Sequence, residues 1–528
     1  MKKTYYILLI LATFFSHVFI NYQILNNSQV IRVHDEHNRI RQGLVYYKEL
    51  FSLSNTNIIK KFNSILYLDK AQAHPHLFEL VEAVTWKVLE GLKIGYNNIL
   101  KDIDLMILVT NSLFLLILLF SIYGIGSVLY NQGIGLLSAL FISTFPLIFG
   151  HSRIAMLDFS LTAMISLSIY LLLKTSGFQS ILYSVFTGIS FGLSQLTKEA
   201  AIIFIFTPLI YYFIKSYIAV KKNKVILNFM ITVLLFVAIA AIVYLNPINQ
   251  DIFKIYFGKI CYIRGAPDPL YYFKNFKKII GPYILVLSLP FLLSYLVNLK
   301  NREKLLFFWF FIPIILFSLS QNKALRFILP VLPGFSLIVI QEIFNNNLTK
   351  KIKGIICFVF ILASILQYAL FNSGFLNKQF TGDYLSEGIL FVTKDPYLDD
   401  ASRLLSIFED EKAYMKRPTK LLFLDNINKF VSFLRFFGFD CYSPMEGDIT
   451  RTIINAPFDC DQIIKNHDYI IESVPIYPFP NYFKERSSCL RDSFAKYRSK
   501  FKKVFEIKIF DGHNLYIYIK KYKNLLDV

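Results

Sequence analysis

The pattern of apolar and polar residues divides the chain into long apolar runs separated by short polar breaks, with a different texture after about residue 372. Runs that approach or exceed the ~20 residues needed to cross a bilayer predict spanning helices over approximately 4–24, 104–128, 133–150, 157–174, 181–196, 199–216, 226–245, 279–298, 305–319, 326–343 and 353–371. The fifth and ninth are short for a span. The first follows Lys2 and Lys3 and resembles a signal peptide, but it is long and no small-residue cleavage site follows, so it reads as an uncleaved helix. Within 25–103, "KELFSLSN" and "HLFELVEAVTWKVLEGLKIG" read as amphipathic helices at the membrane interface.

Beyond residue 372 the pattern alternates. "TKLLFLD" (419–425), "DYIIESV" (468–474), "KKVFEIKIF" (502–510) and "NLYIYIKKY" (514–522) read as strands, the last two joined at a "DGH" turn. "INKFVSFLRFFG" (427–438) reads as a helix stopped by glycine, and 380–416 as a helical lead-in. The expected architecture is a polytopic α-helical membrane protein of about 11 spans, residues 1–375, with a large first outer loop at 25–103, followed by a small extracytoplasmic α/β domain, residues 376–528.

Charge orients this layout. Short basic loops hold Lys215, Lys221, Lys222 and Lys224, then Lys300, Arg302 and Lys304, then Lys350, Lys351 and Lys353, with Lys174 on the same side. Such loops face the cytoplasm. The N-terminus is therefore expected inside, and an odd number of spans puts the C-terminal domain outside, as in a multi-pass protein of the cell (inner) membrane. Composition agrees: 55% of the 528 residues are hydrophobic and 17% charged, with a mean hydropathy of +0.48. The net charge of +20 then reports basic loops against anionic lipid; no nucleic-acid motif accompanies it. Cys357 falls in a span, whereas Cys261, Cys441, Cys460 and Cys489 fall outside, where disulfides form. Four thiols allow three pairings, and free buried cysteines are the equal alternative. No CxxC or HExxH pattern marks a zinc site.

On this topology the unusual polar residues all fall on the outer side: Asp35 and Glu36 in "IRVHDEHNRIRQG", His74 and His76 in "AHPHLFEL", Arg153 and Asp158 in "HSRIAMLDFS", Lys198 and Glu199 in "LSQLTKEAA", Asp268 and Tyr271 in "RGAPDPLYYF", and Lys323 and Arg326 in "SQNKALRFILPVLP". Each has a plain explanation as a solvated loop charge, an ion pair or a span anchor. Together they mix carboxylates that serve as base or metal ligand with cations that hold phosphate, at the depth where charge usually lines a functional cavity.

These residues resemble the GT-C superfamily of membrane glycosyltransferases, and within it glycosyltransferase family 39, which includes protein O-mannosyltransferases and the lipid A aminoarabinose transferase. The acidic "DE" motif is matched by Asp35–Glu36, a "(H/K)PPL"-like motif by "HPHL" (His74 to Leu77), an Arg followed by Met/Pro-Asp by "RIAMLD", a "GL..LTK" segment by "FGLSQLTKE", and "RF.LP.LP" by "RFILPVLP", in order along roughly residues 1–345. The chain departs from the pattern at His76, where the motif has its second proline, and at "DPLYY", where relatives often carry a histidine. The resemblance implies transfer of a sugar from a polyprenyl-phosphate donor to a lipid, protein or glycan acceptor on the outer face, with inversion. It implies Asp35 as base, with Glu36 and Asp158 beside it as catalytic carboxylates and Asp158 supporting Asp35 or binding a cation. His74, Arg153, Lys198 and Arg326 are candidates for the donor phosphate, and Asp268, Tyr271, Tyr272 and Lys323 for substrate. No cofactor is required, a divalent cation is compatible, and membrane lipid is the surrounding partner. The rival reading is a lipid-linked oligosaccharide polymerase, ligase or transporter, which shares the spans and polar cavity without needing this ordered motif set; a non-catalytic receptor leaves the acidic first loop unexplained.

Overall fold

A computed structural model of the chain describes residues 2–27, 36–51, 77–95, 99–244, 268–320, 323–345 and 348–372, then 420–423, 440–442, 461, 464–465, 469–474, 490–508 and 514–520. It comprises two compact units, Met1–Val392 and Thr393–Val528.

The first unit is helical: α1 (Lys2–Asn27), α2 (Glu36–Phe51), α3 (Leu77–Gly91), α4 (Ile99–Leu129), α5 (Gln132–Ser143), α6 (Pro146–His151), α7 (Leu157–Lys174), α8 (Ile181–Thr197), α9 (Ala201–Val220), α10 (Asn223–Tyr244), α11 (Tyr271–Ile280), α12 (Pro282–Val297), α13 (Lys304–Leu319), α14 (Leu332–Asn345) and α15 (Lys350–Asn372), with 3-10 turns at Leu299–Asn301 and Leu325–Val331. Every predicted apolar run is helical. Among the described residues seven helices are long and apolar enough to cross a membrane, or eight when the bent pair α11–α12 is taken as one. Three more, α5, α8 and α13, are apolar but shorter. The chain is a multi-pass membrane protein.

Three predicted spans are broken, each for a local reason. The run 133–150 stops at Ser143 and restarts at Pro146, whose missing N–H costs nothing at the first helical position. The run 279–298 is split at Gly281, and α11 and α12 meet there at 117°. Gly281 has φ +92°, and a Cβ there would lie 1.9 Å from Gln367 Oε1; Gln367 Nε2 meanwhile holds the Ile280 carbonyl at 2.8 Å. Only glycine fits both the backbone and the space. The run 326–343 begins as the 3-10 turn before α14.

Burial sorts the helices. α14 is buried from Leu332 to Ile343, and α7 along most of its length. α1, α9, α10 and α15 expose large apolar side chains, including Phe15, Ile218, Leu234 and Phe358, as lipid-facing helices do, since tails solvate them as well as protein does. Close crossings use small residues: a Cβ on Gly126 of α4 would come within 2.5 Å of Gly135 Cα on α5, and one on Gly188 of α8 within 2.6 Å of the Thr232 carbonyl on α10. The interface helix expected near residue 80 forms as α3, yet it buries Glu79 and Glu82 where a plain amphipathic helix would turn carboxylates to water. Arg39 of α2 meets Glu79 there.

The second unit holds a five-stranded sheet, β1 (Lys420–Phe423), β2 (Asp440–Tyr442), β3 (Tyr469–Val474), β4 (Phe501–Lys508) and β5 (Asn514–Lys520), in the order β2-β1-β3-β5-β4. β1 runs parallel to β2 and β3, and β5 antiparallel to β3 and β4. The four predicted strands are present; β2, only three residues long, carries too little alternation to be read. A helix over 490–497 packs Leu490 and Phe494 against Ile470, Phe501 and Tyr518. Asp461 accepts from Lys496, Ser493 and Tyr497 at 2.6, 2.8 and 2.9 Å, and these bonds, Lys496 first, hold its carboxyl down to about 2. The helices predicted over 380–416 and 427–438, the "DGH" turn, and Cys261, Cys460 and Cys489 lie outside the described residues.

Candidate active site

Asp158 is the second residue of α7, where the helix dipole favours a carboxylate. The loop that delivers it, from Ser152 to Met156, is buried. Lys198 follows directly on α8 with an extended backbone, and Arg326 sits in the first turn of the 3-10 segment before α14. These three converge from separate parts of the sequence. Lys198 Nζ donates to Asp158 Oδ1 at 2.6 Å, and Arg326 Nε lies 3.6 Å from Oδ2. The Asp158 side chain is 3% exposed, those of Lys198 and Arg326 12% and 23%. Both cations lean on one ring: Lys198 Nζ is 5.0 Å and Arg326 Cζ 5.6 Å from the centroid of Phe327, a contact that strengthens with desolvation.

A buried imidazole adjoins this cluster. His151, the last residue of α6, is fully buried and lies in the field of Asp158, Arg326 and Lys198. Neither of its ring nitrogens has a hydrogen-bond partner among the described residues, which costs about 1–3 kcal/mol per unpaired polar group. Neither His151 nor Phe327 was among the sequence candidates, although both flank motif residues: His151 opens "HSRIAMLDFS" and Phe327 follows Arg326.

The other candidates occupy distinct positions. Glu36 is fully buried, and its Oε1 accepts the amide N–H of Ala155 at 2.9 Å; it pins the loop before Asp158 onto α2. Arg153, 1% exposed, donates from Nε to Asn21 Oδ1 at 2.7 Å and from Nη2 to Asn372 Oδ1 at 2.5 Å, so it ties the end of α1 to the end of α15. Its guanidinium also sits 5.1 Å from the Phe149 ring. Asp268, Tyr271, Tyr272 and Lys323 gather in one place. Lys323 Nζ donates to the Asp268 carbonyl at 2.6 Å and the Ser318 carbonyl at 2.8 Å. The Tyr272 hydroxyl donates to the Ala324 carbonyl at 3.3 Å, and the Tyr271 and Tyr272 rings meet edge to face at 5.2 Å. The Asp268 carboxylate pairs with Lys274 at 3.0 Å, which together with the Leu270 amide keeps it below the usual carboxylate range. This segment reaches the Asp158 cluster through residues 323–327. Asp35 and His74 lie outside the described residues.

The donor set bears on a metal. Among the described residues no group of three or more His, Cys, Asp or Glu is placed to hold one, and both Asp158 oxygens face cations. These described residues do not form a metal site.

The fold is that of the solved structures of ArnT and AglB. More particularly, residues 95–244 match the family described as dolichyl-phosphate-mannose-protein mannosyltransferase. The crystal structure of ArnT from Cupriavidus metallidurans in the apo state is similar with a TM-score of 0.63 at 11% identity, covering 98% of each chain. The same protein bound to undecaprenyl phosphate gives 0.63 at 12% identity, over 97% of this chain and 98% of that one. The archaeal oligosaccharyltransferase AglB from Archaeoglobus fulgidus, in complex with an inhibitory peptide and a dolichol-phosphate, gives 0.58 at 10% identity, over 98% of this chain and 74% of that one. Sequence comparison with curated proteins gives no match.

Proposed function

We propose that the chain is an integral membrane glycosyltransferase that moves a sugar from a polyprenyl-phosphate carrier to an acceptor hydroxyl, with inversion, on the extracytoplasmic face. The observation that carries this reading is convergence: Lys198 and Arg326, from separate parts of the sequence, close on Asp158. Two cations gathered at one point suit a phosphate, and Asp158 holds both side chains so that little reorganisation is needed when charge develops. The similar structures include ArnT bound to undecaprenyl phosphate and AglB in complex with a dolichol-phosphate, carriers of the class proposed here.

In the proposed reaction the acceptor oxygen forms a bond to the anomeric carbon as the bond from that carbon to the phosphate oxygen breaks. The phosphate leaves with the electron pair and gains negative charge facing Lys198 and Arg326. The acceptor proton passes to a carboxylate, for which Asp35 is the candidate by the motif resemblance. Asp35 precedes α2 in sequence, and the bond from the Ala155 amide to Glu36 joins that helix to the Asp158 loop, which supports a base and a phosphate cluster drawn from these two segments. His74 would add to the phosphate side by its motif position. Asp268, Tyr271, Tyr272 and Lys323, beside Arg326, would line the substrate. The short basic loops support a cytoplasmic N-terminus.

The test is transfer of label from a polyprenyl-phosphate monosaccharide by the purified chain in lipid. One sugar added per acceptor, lost on Asp35→Ala with the protein still folded, supports the proposal. Processive addition of repeat units, or movement of lipid-linked sugar without a new glycosidic bond, supports the polymerase or transporter reading.

A further inference from the structure

α2 and α3 pack along each other and bury three carboxylates against one guanidinium. Glu36 and Glu82 are fully buried, Glu79 and Arg39 nearly so. Two of the carboxylates have protein donors: Arg39 Nη1 to Glu79 Oε1 at 2.8 Å, and the Ala155 amide to Glu36 Oε1 at 2.9 Å. Glu82 has none. Neither of its oxygens, nor Glu79 Oε2, has a hydrogen-bond partner among the described residues. Its carboxyl lies against the backbone of α2, where a Cβ on Gly43 would come within 2.6 Å of Oε2. Gln42 Nε2 on α2 and Asn111 Oδ1 on α4 are likewise buried and unpaired.

Glu79 and Glu82 stand three apart on one face of α3. With one guanidinium between them, two buried carboxylates do not both stay ionised. Burial raises the Glu82 carboxyl well above the usual carboxylate range; Glu79 adds to this, Arg39 opposes it, and Glu36 adds again. The other neighbouring helices bring no cation close: Lys101 of α4 lies about 15 Å along that helix from residue 111. α4 meets α3 through the Thr85–Thr110 hydroxyls at 3.2 Å and the stacked Phe78 and Phe114 rings, so Glu82 faces the uncharged stretch 110–114. The carboxylates Asp102 and Asp104 lie roughly 10 Å further along α4. α8 carries no carboxylate, amine or guanidinium.

We propose that Glu79 and Glu82 form a proton-binding site, in which Glu82 holds one proton and donates it to Glu79 Oε2, the free oxygen of the carboxylate that Arg39 bonds. The shared proton leaves the Glu79–Glu82 pair with one negative charge beside Arg39, while Glu36 is held separately by the Ala155 amide, and it gives partners to an oxygen of each of the two. It closes the helix pair on which the Asp35–Glu36 motif and the clamp on Ala155 are mounted. That consequence for catalysis rests on the proposed function; the proton site does not.

The folded chain then keeps a proton that the unfolded chain releases above the ordinary glutamate value of about 4.3. This stability is fully present below that value and is lost as pH rises toward the raised value of the folded state, by up to about tenfold in the folding equilibrium per pH unit. Thermal unfolding of the full chain in lipid nanodiscs, from pH 5 to 9, is compared with Glu82→Gln, which keeps the shape and an N–H donor but no titrating proton. The wild type is expected to lose stability with rising pH and the variant to lack that slope; equal slopes overturn the proposal. A second readout does not need the variant to fold. Protein labelled with carbon-13 at the glutamate carboxyl is expected to show the infrared C=O stretch of a protonated acid at pH 7, and its absence overturns the proposal. If slope and band are both present but no sugar is transferred from a polyprenyl-phosphate donor, the proton site stands and the catalytic reading fails.

Discussion

Arg302 and Glu342 close on each other at one end of the helices whose other end carries Asp158, Lys198 and Arg326. From Ala201, beside Lys198, α9 runs about 20 Å to Lys215, which pairs with Glu303 at 2.9 Å. Next to Glu303, Arg302 binds Glu342 through two donors, at 2.5 and 3.0 Å, and Ser294 donates to the same carboxylate at 2.9 Å. Charges there match one to one, and Glu342, fully buried, has donors on both oxygens. At the Asp158 end two cations meet one carboxylate over a shared aromatic platform, beside a buried histidine whose ring nitrogens have no hydrogen-bond partner among the described residues. Both clusters put ionised groups among apolar helices. One fixes how α12, α13 and α14 meet; the other gathers two cations on a single carboxylate at the end of α8 and the start of α7. Polar residues within spans therefore do not report function by being polar. Where they converge and which hydrogen bonds they leave unmade distinguish the two ends.

Substitutions should separate the two ends. The largest effect on activity is expected for Lys198→Met, which removes a phosphate-facing donor and should lower sugar transfer about 10²–10³-fold with a small change in unfolding temperature. Equal losses of both would make the Asp158 cluster another structural pair. Arg302→Met should do the reverse. It strands Glu342 without its cation and should cost about 3–5 kcal/mol of stability, read as a lowered unfolding midpoint, while the surviving folded protein transfers sugar at the wild-type rate. His151→Phe keeps the ring volume and removes both nitrogens; about a tenfold loss of transfer without loss of stability is expected, the worth of one hydrogen bond of about 1.4 kcal/mol. Smallest is Lys215→Ala. Its side chain is 49% exposed, and such pairs contribute within about 1 kcal/mol.

How far the sequence carried depends on the kind of information each feature needs. Apolar runs are local, and every predicted span proved helical; their interruptions at Pro146 and Gly281 depend on neighbours such as Gln367 that no window contains. Asp158, Lys198 and Arg326 were legible as ordered motifs 40 to 128 residues apart in sequence, but their convergence on one carboxylate was not. The reading of α3 as a plain interface helix missed Glu79 and Glu82, because periodicity cannot see that Arg39 waits on the facing helix. His151 could have been found, since a histidine two residues before Arg153 at the end of an apolar run is itself unusual.

The account stands most directly on the binding of a polyprenyl phosphate to the purified chain, set against the matching uncharged polyprenol. Native mass spectrometry of the wild type and of Lys198→Met/Arg326→Met makes the comparison. The phosphate is expected to bind the wild type much more tightly than the alcohol, and the double variant to lose that preference while remaining folded. Equal binding of both lipids by the wild type, or an undiminished preference in the double variant, would contradict a phosphate site at Asp158.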